Sequence, residues 1–125
     1  MSVCFAYLTA GSPEEARRIG RTLVEERLAA CVNLFDGMSS IYRWQGVIET
    51  ATETVMIAKT RPELFEALTR RVRELHSYAT PCIIELPLAR IDADYLAWLT
   101  AETAPEPPRD SGSNDLTRAD SGSGP

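Results

Sequence analysis

The hairpin between Ser40 and Lys59 limits what this chain can fold into more than any other segment. Ser40-Ile41-Tyr42-Arg43-Trp44 is strand-forming, Gln45-Gly46 is a turn, and Val47 to Lys59 runs back rich in Thr, Val and Ile. A return limb of roughly 13 residues, at about 3.3 Å each, reaches about 43 Å, more than a domain of this size needs. A hairpin that outgrows its own domain points to pairing with another subunit.

The segments on either side fix the fold class. Residues 3–9 form an unbroken apolar and aromatic run, read as a buried strand. Ser12-Pro13-Glu14-Glu15 then opens a helix: Ser12 caps, Pro13 suits the first turn and Glu15 completes a capping box. Ala16, Ile19, Leu23, Val24 and Leu28 recur behind it as one apolar stripe. Residues 29–35 are a second strand, ended by the turn signal Asp36-Gly37 before pairing resumes at Ser40. Thr60-Arg61-Pro62-Glu63 repeats the helix-start logic, and Phe65, Leu68, Val72 and Leu75 form the stripe of a second helix ending near His76. A loop over 77–81 leads to a strand over 82–86, stopped by Pro87, and Asp92 or Asp94 caps a short last helix carrying Tyr95, Leu96, Trp98 and Leu99. The order β-α-β-β-α-β predicts an α+β, ferredoxin-like antiparallel sheet with helices on one face, an extra C-terminal helix and a long central hairpin.

Composition changes sharply near Thr103. Residues 1–103 form the expected domain, and 104–125 are Pro, Gly and Ser-rich and acidic, with Leu116 as the one large apolar residue, so disorder is expected there. Net charge is -5. That acidic balance offers no broad footprint for nucleic acid or an anionic membrane, and Arg17, Arg18, Arg21, Arg70, Arg71 and Arg73 read as solvated helix faces. No segment approaches the roughly 20 apolar residues that span a bilayer. The N-terminal residues lack a signal peptide's basic start and cleavage site. Cys4, Cys31 and Cys82 are widely spaced within apolar stretches, as reduced thiols packed in a core would be. A soluble cytoplasmic protein is expected.

Catalytic signatures are sparse. One histidine excludes a multi-histidine zinc site within one chain, the seven glycines form no phosphate loop, and no nucleophile elbow is present. A Cys82–His76 nucleophile pair is conceivable, but each residue stands where a core or loop residue would stand anyway, so no enzyme is expected. His76 reads either as a cation capping the second helix or as a metal ligand at a subunit interface. Glu49 and Glu53 share a face of the long strand and either bind cations or pair with Lys59 or Arg43. Tyr42 and Trp44, flanking the turn, read as core or interface packing in preference to a stacking platform.

Taken in order, these strings resemble the CutA family of divalent-cation-tolerance proteins. The matching text is Leu28-Ala29-Ala30-Cys31-Val32-Asn33, Ser40 through Gly46, Ile48-Glu49, Glu53, Ala58-Lys59-Thr60, His76-Ser77-Tyr78, Pro81, Ile83-Ile84, Leu86-Pro87 and Tyr95 through Leu99, within residues 3 to about 102. The resemblance implies a ferredoxin-like protomer assembled as a tight homotrimer through its long hairpins. It also implies tolerance to copper and other divalent ions, copper binding as in some members, and no obligatory cofactor. His76 matches the family's H-x-Y histidine, and Tyr42, Trp44, Glu53, Lys59 and Tyr78 match residues that would gather in clefts between subunits. Cys82 departs from the pattern, standing where members place a glutamate. It is either a soft ligand beside His76, favouring copper(I) or zinc, or a packing residue. The rival reading is a signalling or scaffold trimer resembling the PII-type regulators, binding a small molecule between subunits, although the Gln45-Gly46 turn is too short for their long loop.

Overall fold

The computed structural model describes residues 2–105. The expected tail falls almost wholly outside the described residues. Four strands, β1 (Cys4–Ala10), β2 (Cys31–Trp44), β3 (Val47–Thr60) and β4 (Ile83–Pro87), form one sheet in the order β2-β3-β1-β4, with every neighbouring pair antiparallel. Helices α1 (Pro13–Glu25) and α2 (Phe65–Leu75) cover one face, and α3 (Ala93–Glu102) follows β4. This is the expected ferredoxin-like arrangement with its terminal helix.

Alternation along the strands decides the two faces. Ala6, Leu8, Met56 and Ala58 meet Ile19, Leu23, Leu68 and Val72 of the helices in the main core. Phe5, Tyr7, Thr9, Glu53, Val55 and Ile57 point the other way, onto a face that neither α1 nor α2 covers. Val3, Ala30 and Leu99 make a small second core under α3.

Local chemistry explains the helix boundaries. Ser12 accepts the Glu15 N–H at 3.2 Å and Asp92 accepts from Asp94 and Tyr95, so both caps form as expected. Glu15 does not close its capping box in the expected way: its carboxylate is directed to Ser77, across the fold. α1 stops three residues short of Leu28 because Arg27 takes a left-handed conformation at φ 61, with Leu28 N–H bonded to Leu23 O and Arg27 N–H to Val24 O. Val24 is exposed instead of joining the buried stripe. Arg61, expected near a helix start, leads into a 3-10 turn at Pro62–Leu64 without capping it by a side chain.

The Asp36-Gly37 turn signal is a bulge inside one continuous strand. Phe35 faces Val55 and Met38 faces Glu53, so β2 carries one extra residue there, with Gly37 at φ 78. Because side chains alternate, that residue exchanges the faces of everything beyond it. Cys31, Asn33 and Phe35 lie on the open face before the bulge; Met38, Ser40, Tyr42 and Trp44 lie on it afterwards.

Candidate functional site

Exchange of faces at the bulge places the Ser40 hydroxyl beside Glu53. Ser40 Oγ donates to Glu53 Oε1 at 2.7 Å and Tyr78 Oη donates to Oε2 at 2.9 Å. Glu53 is only 8% exposed, although it stands on the face that the helices leave open. Both groups holding it are neutral hydroxyls. A cleft of about 340 Å³ opens above it, lined by Tyr7, Met38, Ile41, Tyr42 and Cys82 among others.

The loop after α2 delivers Tyr78 to this cleft. His76 caps α2 at the backbone, its N–H bonding Val72 O, and then leaves helical geometry. Its ring is 2% exposed. Nε2 lies 2.7 Å from the Thr9 carbonyl oxygen and must donate to it; Nδ1 accepts the Tyr78 N–H at 3.0 Å. An imidazole that accepts at one nitrogen and donates at the other is neutral. Ser77 is anchored to Glu15, whose carboxylate accepts its N–H at 2.7 Å and its hydroxyl at 3.0 Å. Burial pushes the Glu15 carboxyl upward, but the two Ser77 bonds, helped by the Gly11 backbone, hold it below the usual carboxylate range. A Cβ at Gly11 would lie 3.2 Å from Tyr78 Oη, so a larger residue there would press on the hydroxyl that reaches Glu53.

These contacts revise two expectations. His76 caps α2 through its backbone N–H, and both ring nitrogens are engaged within the protomer, so a metal would have to displace one of those bonds to use the ring. Glu53 is held by hydroxyls and not by Lys59 or Arg43. Lys59 is instead six residues along β3, its Nζ 3.3 Å from Tyr95 Oη and 5.4 Å from that ring's centre, and Arg43 donates to Gly46 O.

Of the residues expected at the site, the fold gathers Tyr42, Glu53, Tyr78 and Cys82, with His76 behind Tyr78 at 4.8 Å between ring centres. Trp44 stands apart at the hairpin tip, opposite Val47. Sequence reasoning missed Tyr7, Thr9, Met38, Ser40, Glu15 and Ser77. Met38 and Ser40 could have been placed only by knowing that Asp36-Gly37 is a bulge.

Burial and then the Glu53 charge raise the Cys82 thiol, and the Tyr78 phenol is raised by burial and its Glu53 bond. Tyr42 is raised by loss of solvent and by Glu49 and Glu53. The cleft therefore presents one carboxylate among neutral thiol and phenol groups at neutral pH. Among the described residues, no three His, Cys, Asp or Glu side chains come together to hold a metal ion. A metal bound here would use Glu53 and Cys82 and draw further ligands from Met38 or another copy.

The model of the family described as CutA1 divalent ion tolerance protein matches residues 4–102. The chain belongs to this family. The divalent-cation tolerance protein CutA of Archaeoglobus fulgidus is 48% identical over 95 residues, covering 76% of this chain and 92% of that protein. The Thermus thermophilus protein of the same name is 47% identical over 96 residues, covering 77% and 93%. A solved structure of the divalent cation tolerance protein from Thermus thermophilus superposes with a TM-score of 0.80 at 44% identity, over 82% of this chain and 99% of that one. The structure of CutA1 from Oryza sativa gives 0.81 at 36% identity, over 83% and 95%. The family accordingly accounts for both the sheet and the terminal helix.

Proposed function

We propose that the chain acts as a homotrimer in tolerance of and response to divalent metal ions, binding copper or a similar soft cation weakly and reversibly. The observation that carries the site is the meeting of the buried Glu53 carboxylate with the Cys82 thiol in one open cleft. A thiol beside a carboxylate suits copper(I) or zinc better than magnesium or calcium. His76 acts as scaffold, fixing Tyr78 and hence the cleft. The role is binding: the Cys82 thiol, raised by burial and the Glu53 charge, becomes a ligand by giving up its proton as the metal binds.

Support for assembly comes from the open face and the hairpin. Beyond Thr54, where the pairing with β1 ends, β2 and β3 continue as a two-stranded ribbon. Such a ribbon is marginally stable alone. Ile41 on it is 75% exposed, and Phe35, Ile84, Leu86 and Trp98 are exposed elsewhere. Other copies of the chain cover these surfaces in the proposed trimer. The three unpaired thiols fit a reducing cytoplasm, and the acidic balance fits an assembly that engages neither nucleic acid nor membrane.

A PII-like signalling or scaffold trimer is the second reading, favoured by the tyrosine-lined walls of the same cleft. The two-residue turn, with Gln45 at φ 50 and Gly46 at φ 83, leaves no long loop for nucleotide signalling. Titration with copper(I) against a competing chelator tests the main reading. Cys82→Ser should weaken binding at least about tenfold, as loss of a thiolate ligand requires, and an isotherm indistinguishable from wild type would refute the site.

A further inference from the structure

We infer that the Glu53 cleft is also a receptor for an organic cation, an ammonium or guanidinium group that lies between Tyr7 and Tyr42 and donates to the Glu53 carboxylate. The inference rests on the proposed reading in one respect, that this cleft takes a cation, and it is tested without metal.

A carboxylate accepts about four hydrogen bonds, and Ser40 and Tyr78 supply one to each oxygen. The remaining lone pairs belong to a carboxylate more than nine-tenths buried and held by neutral donors, a setting in which an incoming positive charge gains more than it would in water. The walls match the rest of such a ligand. Tyr7 and Tyr42 offer aromatic rings, which attract N–H cations through their faces, and Met38 offers apolar contact for a carbon stem. Tyr7 is held in place by its hydroxyl, which reaches Met38 Sδ at 3.6 Å. At about 340 Å³ the cleft lies at the small end of the range for ligand sites, about 300–1,000 Å³. A bare metal ion would leave these walls unused. A small amine or guanidine uses the walls and the carboxylate together.

The same chemistry has two sources: a free small molecule, or a lysine or arginine side chain of a second copy. Arg43, exposed near the hairpin tip, is a cation that the ribbon would present to a second copy.

Ligand-observed NMR and calorimetry on the full chain, with chelator present, use n-butylammonium and methylguanidinium as probes and n-butanol as the neutral control. The free-ligand source predicts binding of the cations, none of n-butanol, and a loss of at least about tenfold in Glu53→Gln, which removes the charge and keeps one acceptor oxygen, so that one of the two hydroxyls turns to accept from the amide. The second-copy source predicts that the probes do not bind wild type, while Glu53→Gln dissociates the oligomer at a concentration where wild type stays assembled. Tyr42→Leu, which spares the carboxylate, should weaken either interaction severalfold and serves if the glutamine variant fails to fold. Probe binding unchanged in the variants, or equal for n-butanol, overturns the inference. So does the absence of probe binding together with unchanged assembly in the variants. Failure of copper to bind would leave this result standing, and failure of the amines would leave the copper reading standing.

Discussion

Glu15, in the first turn of α1, accepts both the N–H and the hydroxyl of Ser77, at 2.7 and 3.0 Å, across 62 residues of sequence. This clamp sets the position of the next residue, Tyr78, whose hydroxyl reaches Glu53 on the opposite face of the sheet. Helix start, loop and cleft are one connected polar unit.

Glu15→Gln should therefore lower stability by about 1–3 kcal/mol at pH 7, the usual range for a charged acceptor of buried donors. The pH dependence follows from the direction of its shift. A carboxyl held low in the folded state adds stability above the ordinary carboxylate range, and that stability is lost as pH falls through the folded value. Urea unfolding at pH 7 and pH 3 should show a smaller acid loss in the variant than in wild type; equal losses would contradict the clamp.

His76 should be a neutral imidazole carrying its proton on Nε2. Nitrogen-detected NMR at pH 7 should give one protonated Nε2 and one bare Nδ1. His76→Ala should destabilise by about 2–4 kcal/mol, because it leaves the Thr9 carbonyl and Tyr78 N–H without their partner and opens a cavity. An imidazolium signal at pH 7, or a change below about 0.5 kcal/mol, would contradict the scaffold role.

Much of this arrangement was legible in the sequence. Apolar stripes on α1 and α2 and the breaks at Pro87 and Gln45-Gly46 announced the element order, because they reflect local periodicity and turn chemistry. The bulge did not show itself: Asp36-Gly37 has the composition of a turn, and only pairing against Val55 and Glu53 turns it into one extra residue. Glu15 carried a capping-box signature that local reasoning satisfies, so its partner 62 residues away was invisible. His76 was read as a cap or a ligand because its exposure was unknown; burial against Thr9 decides its form.

Cys4 should shape the alkaline limb of stability. Its thiol is fully buried, and burial followed by the neighbouring Glu85 carboxylate pushes it up to about 12. A raised acid group adds its stability below the unfolded value and loses it as pH rises towards the folded one, so stability should fall from about pH 9 upward. Cys4→Ala should flatten that fall. An unchanged alkaline limb would show that Cys4 is not its source.

Arg61 ties down the end of α3. Its side chain is 5% exposed and donates to Thr103 Oγ1 at 3.0 Å, to the Ala104 carbonyl and to Glu63. Arg61→Ala should cost about 1–3 kcal/mol, since it leaves the buried Thr103 and Ala104 acceptors without their charged donor. Hydrogen exchange of α3 should rise at the same time, whereas protection equal to wild type would contradict the clamp.

Native mass spectrometry of unchelated full-length protein, with and without one equivalent of copper(I) per chain, tests the central claim most directly. The account predicts a trimer that gains copper in wild type and loses that gain in Cys82→Ser while remaining a trimer. A monomeric mass, or copper uptake indifferent to Cys82, would contradict it.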